Sequence, residues 1–427
     1  MGNELSKETT LPVSLEAIEE AAEVLAPIIA RTPIEHSRVL SQQLGSEVFL
    51  KCENLQKAGS FKVRGAFVRM SKLSDEEKAR GVVAASAGNH AQGVAQAASH
   101  LGIQARIYMP LGVALPKLQA TRDHGAEVVL HGATVDEALA EAKRYADETG
   151  AVFVHPFDHP DIIAGQGTIG LELLEQLPEV DTVLMGVGGG GLLAGVAIAL
   201  KERGRQLGRE IKVIGVQAAN AAAYPPSLAA DALVPLDTVH TIADGIAVGL
   251  PGQLPFTIIK ELVDDVITVS EDALARALVV LLERNKLVVE PAGAVGVAAL
   301  LEGTLAQHNI NPQTTAVILS GGNIDPLLML KVIQRGLSAA GRFLTIRMML
   351  PDRPGALAAI SRIIAESDAN VTRLDHTRIG GALSMGDVAI TIDLETKGHE
   401  HSRLVLDNLR AEGFDPQITN TVGGSVA

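Results

Sequence analysis

The chain has 427 residues, of which 47% are apolar, and it carries a net charge of −14. Its length suits two or three domains with large cores, and its apolar content excludes a disordered chain. The negative charge argues against nucleic acid or an anionic membrane as a partner, while the single cysteine, Cys52, excludes an internal disulfide framework and fits a cytoplasmic location.

The chain begins with a polar segment, 1–10, that does not resemble a secretion signal, and no apolar run is long enough to span a bilayer. From about residue 45, short β-rich segments alternate with helical patterns. Strands are predicted at 48–50, 82–85, 105–109, 128–130, 182–185, 213–216 and 316–319, with helices at 64–78, 91–100, 117–124 and 135–148 among them. This alternation predicts parallel sheets covered by helices, with ligands bound beyond the carboxyl ends of the strands.

The pattern changes near residue 342. Strands at 343–350, 370–376, 386–394 and 416–419 are predicted to enclose helices at 356–366 and 400–412. The resulting order, βαββαβ, is that of a small ferredoxin-like unit. We therefore expect a main domain over residues 1–336, a linker over 337–342 and a second domain over 343–427.

Lys62 lies in the segment 59–65, Gly-Ser-Phe-Lys-Val-Arg-Gly. A lysine can form a Schiff base with an aldehyde cofactor once it has lost its proton, and burial lowers the pKa of a lysine. Taken alone, such a residue is more often a helix-start lysine in contact with water. The other motifs of the chain decide between these interpretations.

A glycine run, 186–192 with the sequence Gly-Val-Gly-Gly-Gly-Gly-Leu, follows an apolar strand and precedes a helical pattern. Bare amide groups at a helix N-terminus bind anions, and glycines allow a phosphate to come close. A dinucleotide is disfavoured because the next strand ends at Gln217 without an acidic residue for a ribose. Close helix packing explains one or two of these glycines more readily than four in a row.

Two further motifs also follow strands. Ser86–His90, Ser-Ala-Gly-Asn-His, offers a hydroxyl, an amide and free N–H groups for a carboxylate, although an ordinary capped helix start fits equally well. Ser320–Asn323, Ser-Gly-Gly-Asn, places a serine where it could face a ring nitrogen, although a plain turn is the simpler explanation. Asp244–Gly245 and Glu290–Gly293 are weaker candidates, and the histidines show no convincing metal spacing.

Together these segments closely resemble the threonine dehydratase branch of the fold-type II pyridoxal-phosphate enzymes. The resemblance covers roughly residues 14–336 and includes His155–Asp158 and Ala164–Thr168. It implies a catalytic domain of two open α/β subdomains built on parallel sheets, with pyridoxal 5'-phosphate as the cofactor. The tail from Phe343, with Asp352–Gly355, resembles an ACT domain.

The resemblance also implies a role for each site residue. Lys62 would bind the cofactor covalently and act as the base at the substrate Cα. The contacts to the cofactor would come from Phe61, Lys62, Asn89, Gly188, Gly189, Gly190, Gly191, Leu192, Gly245, Glu290 and Ser320. The substrate carboxylate would be held by Ser86, Asn89 and His90, and Ser320 would face the pyridine nitrogen. A serine there does not keep that nitrogen protonated, so the ring would be a weaker electron sink.

The activity implied is deamination of L-threonine to 2-oxobutanoate and ammonia, with a side activity on L-serine. A serine dehydratase or serine racemase is the alternative, but Ala87 replaces the second serine that racemases use to deliver a proton. Related racemases bind a divalent cation through acidic groups where this chain has Gln217, Ala221 and Ala223, so we expect no metal site. A non-catalytic amino-acid sensor is a different class of function, which the intact Lys62 motif disfavours.

The ACT-like domain implies an amino-acid effector, most plausibly isoleucine or valine, bound between paired domains near Asp352–Ala356 and Asn370. A purely structural oligomerisation module is the alternative. In either case we expect a homodimer or homotetramer. The sequence leaves open whether the physiological role is isoleucine synthesis or threonine breakdown.

Overall fold

The computed structural model describes residues 11–378 and 386–419, so the polar segment 1–10 lies outside the described residues. The chain divides into two compact units, Met1–Asp325 and Pro326–Ala427. The strands are β1 (Ile34–His36), β2 (Glu47–Lys51), β3 (Val82–Ala85), β4 (Ala105–Met109), β5 (Glu127–Leu130), β6 (Val152–Phe153), β7 (Thr182–Gly186), β8 (Lys212–Ala218), β9 (Asp265–Val269), β10 (Thr314–Ile318), β11 (Phe343–Pro351), β12 (Asn370–Thr377), β13 (Asp387–Glu395) and β14 (Gln417–Ile418).

The helices of the first unit connect these strands in the alternating order expected from the sequence. They are α1 (Leu15–Leu25), α2 (Arg38–Leu44), α3 (Lys62–Ser71), α4 (Asp75–Arg80), α5 (Asn89–Leu101), α6 (Leu115–Asp123), α7 (Val135–Thr149), α8 (Pro160–Gln176), α9 (Gly191–Gln206), α10 (Tyr224–Ala230), α11 (Gln253–Leu262), α12 (Glu271–Val280), α13 (Pro291–Glu302) and α14 (Thr304–Gln307). The second unit adds α15 (Pro326–Ala339), α16 (Ala356–Glu366) and α17 (His399–Ala411). No helix among the described residues is long and apolar enough to cross a membrane.

The first unit contains two sheets. The larger has the order β1-β2-β10-β7-β8-β9, in which only β1 is antiparallel to its neighbour, and the smaller is the parallel sheet β5-β4-β3-β6. Strands such as β3, β7 and β10 are buried along their whole length, as parallel strands covered on both faces should be. The prediction of two α/β subdomains is confirmed, and the carboxyl ends of β3, β7 and β10 carry the three motifs that follow strands.

The second unit has the predicted βαββαβ order. Its antiparallel sheet runs β12-β13-β11-β14 and packs its apolar face on α16 and α17. Alternate residues of β11, including Ile346 and Met348, are buried, as expected for a half-exposed strand. The predicted ferredoxin-like fold is therefore confirmed.

Two boundaries differ from the sequence prediction. The helix predicted over 64–78 ends at Ser71, because Ser74 starts a new helix through a capping box with Glu77. The linker predicted over 337–342 overlaps the end of α15, and the division between the compact units lies earlier, at Asp325. An apolar helical pattern that begins at Pro326 continues into this segment, whose glycines had suggested a linker.

Candidate active site

A cavity of about 880 Å³ lies where the motif-bearing turns meet. Its lining contains every site residue expected from the sequence: Phe61, Lys62, Ser86, Asn89, His90, Gly188, Gly189, Gly190, Gly191, Leu192, Gly245, Glu290 and Ser320. The two sheets therefore bring together residues that are up to 259 positions apart in the chain, counted from Phe61 to Ser320.

Lys62 is the first residue of α3 and lies on the cavity wall. Its Nζ donates a hydrogen bond to the backbone oxygen of Pro156 at 3.0 Å and lies 5.1 Å from the centre of the Phe61 ring. Burial lowers the pKa of Lys62 to about 8, although the negative charge of Glu290 acts in the opposite direction. A lysine with such a pKa is available in the neutral, nucleophilic form near neutral pH.

The glycine run forms a cradle of amide groups over residues 188–192, between β7 and α9. The N–H groups of these five residues have no hydrogen-bond acceptor among the described residues. They stand at the N-terminus of a 16-residue helix, whose dipole favours an anion. This amide cradle fits the phosphate group of a phosphorylated cofactor.

Packing also restricts the side chain at all four glycine positions of the cradle. A Cβ atom on Gly189 would lie 2.3 Å from the Phe157 ring, and one on Gly190 would lie 2.0 Å from the Tyr224 hydroxyl oxygen. On Gly188 and Gly191 it would lie within 3.0 Å of backbone atoms of Ile246 and Phe157. The expectation that packing explains only one or two glycines is therefore wrong, because atoms of neighbouring residues enclose the run wherever it is not open to the cavity.

A second set of amide groups comes from the turn after β3. The N–H groups of Ala87, Asn89 and His90 have no acceptor among the described residues, whereas the Gly88 N–H donates to the Ser86 hydroxyl at 3.1 Å. These groups precede or begin α5, so they can bind a carboxylate. A carboxylate at this position would be held by the backbone of the turn.

The ring of His90 hydrogen-bonds to the backbone of a neighbouring segment. Its Nε2 lies 2.8 Å from the backbone oxygen of Val154, and the residue is only 4% exposed. Burial lowers the pKa of His90 to about 3, with the nearby Lys62 charge adding to the effect. A neutral ring that donates to a carbonyl does not carry the positive charge that would pair with a carboxylate, whereas the amide of His90 is free to donate.

Glu290 precedes α13 and is almost fully buried. One of its oxygens, Oε1, accepts a hydrogen bond of 2.6 Å from Asn89 Nδ2. Burial raises the pKa of Glu290 to about 7, and the negative charge of Asp244 raises it further, whereas Lys117, Asn89 and Lys62 act in the opposite direction. This carboxyl group can therefore hold or release a proton near neutral pH.

Several residues of this region were missed by sequence reasoning. Asn323 Nδ2 lies 2.9 Å from Asn89 Oδ1 and 2.8 Å from the backbone oxygen of Ala58, so it orients Asn89. Lys117 on α6 pairs with Asp244 at the cavity lining and joins the two subdomains. Asn323 was noted only as the last residue of the Ser320–Asn323 motif, and Asp244 only as a weak candidate. Lys117 did not stand out in the sequence, because a lone polar side chain carries no local pattern.

Arg64 occupies a buried charged cluster beside the site. Its guanidinium donates to both oxygens of Glu53 at 2.8 and 2.9 Å and to Glu172 at 2.7 Å. Lys51 completes the cluster through a 2.6 Å contact with Glu172. Arg64, Glu53 and Lys51 are fully buried, and the two positive charges balance the two negative ones. Because Arg64 lies two residues after Lys62, this cluster anchors the start of α3.

No metal site is evident in the part of the chain that the structure describes, since no group of three or more His, Cys, Asp or Glu side chains is placed to hold an ion there. The Nδ1 of His155 accepts backbone hydrogen bonds from Phe157 and Asp158. His159 accepts one from the amide of Asp161 at the start of α8. These contacts give both rings structural roles.

Comparison with known proteins agrees with the fold and the cavity. The family model for pyridoxal-phosphate dependent enzymes matches residues 25–321, and the ACT domain model matches residues 344–414. The chain belongs to the pyridoxal-phosphate dependent enzyme family and carries an ACT domain, so its cofactor is pyridoxal phosphate.

The chain is also similar to individual enzymes of this family. The L-threonine ammonia-lyase of Thermotoga maritima is 46% identical over 406 residues, which span 95% of this chain and 99% of the relative. Among solved structures, the processed form of threonine deaminase isoform 2 from Solanum lycopersicum is 38% identical with a TM-score of 0.71, covering 76% of this chain and 95% of that one. Maize serine racemase is 36% identical with a TM-score of 0.71, covering 77% and 98%.

Proposed function

We propose that this chain deaminates L-threonine to 2-oxobutanoate and ammonia, with a lower activity on L-serine. The observation that carries the proposal is the position of Lys62, a lysine of lowered pKa on the wall of a cavity that also contains two sets of unpaired amide groups. The likeness to the Thermotoga maritima L-threonine ammonia-lyase over nearly the full length supports the choice of substrate.

The residues present fit pyridoxal phosphate. The amide cradle 188–192 would hold its phosphate, Lys62 its aldehyde carbon, Phe61 and Gly245 its ring, and Asn89, Glu290 and Ser320 its polar ring substituents. When bound, the cofactor withdraws electrons from the substrate Cα and so makes the Cα–H acidic.

The protein groups then perform the proton transfers. The amides of Ala87, Asn89 and His90 hold the substrate carboxylate and orient the Cα–H toward Lys62. Neutral Lys62 Nζ removes that proton, and the proton gained by Nζ balances the one that the β-hydroxyl takes up when the Cβ–O bond breaks and water leaves. The resulting enamine becomes an imine, which water hydrolyses to 2-oxobutanoate and ammonia. The water lost in elimination equals the water used in hydrolysis, so threonine yields only these two products.

The alternative activity is serine racemisation, which the similarity to maize serine racemase supports. Racemisation requires a proton donor on the face of the substrate opposite to the base. Ala87 lies in the cavity lining and offers only a methyl side chain. We therefore expect elimination to exceed racemisation. A side activity on L-serine is expected as well, because a pocket discriminates one methyl group by only about 1–3 kcal/mol.

The test is 2-oxo-acid formation from L-threonine by the purified protein with pyridoxal phosphate. Lys62→Ala should abolish turnover, whereas Lys72→Ala should retain it, because Lys72 lies just beyond the other end of α3 and pairs with Asp161. Absence of 2-oxobutanoate from the unmodified protein, or its continued formation by Lys62→Ala, would contradict the proposal. D-serine formation from L-serine at a rate above pyruvate formation would favour the racemase.

For the ACT domain, we propose that isoleucine or valine binds between paired ACT domains of a homodimer or homotetramer and changes the threonine kinetics. Support comes from the ACT family match and from the edge strand β12, whose residues are mostly exposed. Unchanged threonine kinetics across a wide range of both amino acids would leave oligomerisation as the function of the domain.

A further inference from the structure

Gln217 and Tyr224 are two fully buried polar residues that no role in the reaction explains. Gln217 lies in the penultimate position of β8, and Tyr224 begins α10. Neither residue lines the cavity, yet both contact the glycine run from behind. Burying two such side chains is favourable only if their hydrogen bonds are made, so the contacts define what they do.

The contacts of Gln217 converge on backbone groups around the run. Its Nε2 lies 3.1 Å from the backbone oxygen of Val187 and 3.3 Å from that of Ala221. Its Oε1 accepts a hydrogen bond of 2.9 Å from the amide of Tyr224. The Tyr224 hydroxyl in turn donates to the backbone oxygen of Gly189 at 3.2 Å. The side chain of Gln217 thus fixes the position of Tyr224 as well as the end of β7.

Because the peptide bond is planar, these contacts fix the direction in which amide groups of the cradle point. In a trans peptide, the C=O of one residue and the N–H of the next point in opposite directions within one plane, and the described residues contain no cis peptide. A hydrogen bond that draws the Val187 oxygen away from the cavity therefore turns the Gly188 N–H toward it. The bond from Tyr224 to the Gly189 oxygen does the same for the Gly190 N–H.

We propose that Gln217 and Tyr224 are positioning residues that aim the amide groups of Gly188 and Gly190 at the phosphate of the cofactor. This inference rests on the proposed assignment of the amide cradle to that phosphate. The close approach of the Tyr224 hydroxyl also explains why residue 190 is glycine: its φ is 101°, and a Cβ there would overlap the hydroxyl oxygen.

The test compares two ligands of the cofactor-free protein, pyridoxal phosphate and pyridoxal, which differ only in the phosphate. The ratio of their dissociation constants isolates the contribution of the cradle. Tyr224→Phe removes one hydrogen bond and should reduce the preference for pyridoxal phosphate about fivefold. Gln217→Met removes three and should reduce it more than tenfold. A purely structural role would weaken both ligands alike and leave the ratio unchanged.

Controls separate this inference from the cradle assignment. Tyr108→Phe changes a buried tyrosine of β4 away from the run and should leave the ratio unchanged. Gly191→Ala places a Cβ 2.9 Å from the Phe157 backbone oxygen and should lower the ratio by disturbing the cradle itself. If Gly191→Ala lowers the ratio but Tyr224→Phe and Gln217→Met do not, the inference is wrong and the cradle stands. If none of the three lowers it, both are wrong.

Discussion

Replacing Glu290 with glutamine should make the stability of the cofactor-free protein less dependent on pH. Burial and the nearby Asp244 raise the pKa of Glu290 to about 7 in the folded protein, against 4.5 for an unperturbed glutamate. Between these values the folded state holds a proton that the unfolded state has released. The free energy of unfolding therefore falls as pH rises through this window.

The magnitude follows from the two pKa values. Their difference, at about 1.4 kcal/mol per pH unit, corresponds to about 3.5 kcal/mol in full, of which the unmodified protein loses about 2.5 kcal/mol between pH 5 and pH 8, because an unfolded glutamate is already largely ionised at pH 5. Glutamine does not titrate and keeps an oxygen that can accept from Asn89 Nδ2. Glu290→Gln should therefore gain about 2.5 kcal/mol relative to the unmodified protein across the same range.

Urea unfolding at pH 5, 6, 7 and 8, followed by circular dichroism, would measure this difference. Glu53→Gln is the matched control, because Arg64 and Lys51 hold the pKa of the equally buried Glu53 below its usual value. The stability that comes from this lowered pKa is present above pH 4.5, the ordinary pKa of a glutamate. The difference in the free energy of unfolding between Glu53→Gln and the unmodified protein should therefore stay constant from pH 5 to pH 8. A constant difference for Glu290→Gln as well would refute the reasoning.

Further predictions concern α3. Arg64→Met should lower the free energy of unfolding by about 3–5 kcal/mol, because it leaves Glu53 buried without its main partner. The double variant Arg64→Met/Glu53→Gln should lose less free energy of unfolding than the sum of the two single losses, because the Lys51–Glu172 pair remains balanced. Additive losses in urea unfolding would contradict this. Acylation of Lys62 in the cofactor-free protein should rise with a midpoint near pH 8, and a midpoint above pH 10 by peptide mass mapping would contradict the burial argument.

The sequence predicts most of the fold because apolar segments and helical patterns alternate so regularly. The motifs at 59–65, 86–90, 186–192 and 320–323 meet in one cavity, as expected for turns at the carboxyl ends of parallel strands. The sequence pattern gives a weaker signal for a helix boundary where one helix directly follows another. The break at Ser74 depends on one capping serine inside a run of charged residues that also suits a continuous helix.

The environment of each side chain could not be predicted in the same way. Nothing in the segment 86–90 indicates that the His90 ring hydrogen-bonds to the Val154 backbone oxygen, because that contact joins distant parts of the chain. Gln217 was noted only for the acidic residue it replaces, although its three hydrogen bonds shape the glycine run. Such roles follow from three-dimensional packing, which a pattern of residue types does not encode.

The most direct test of the account is to reduce the protein with borohydride in the presence of pyridoxal phosphate and to map the modified peptide by mass spectrometry. A pyridoxyl-phosphate group is expected on Lys62 and on no other lysine, and it should be absent from Lys62→Ala. Labelling of Lys117, which also lines the cavity, with Lys62 unmodified would contradict the central claim that Lys62 binds the cofactor and acts as the base.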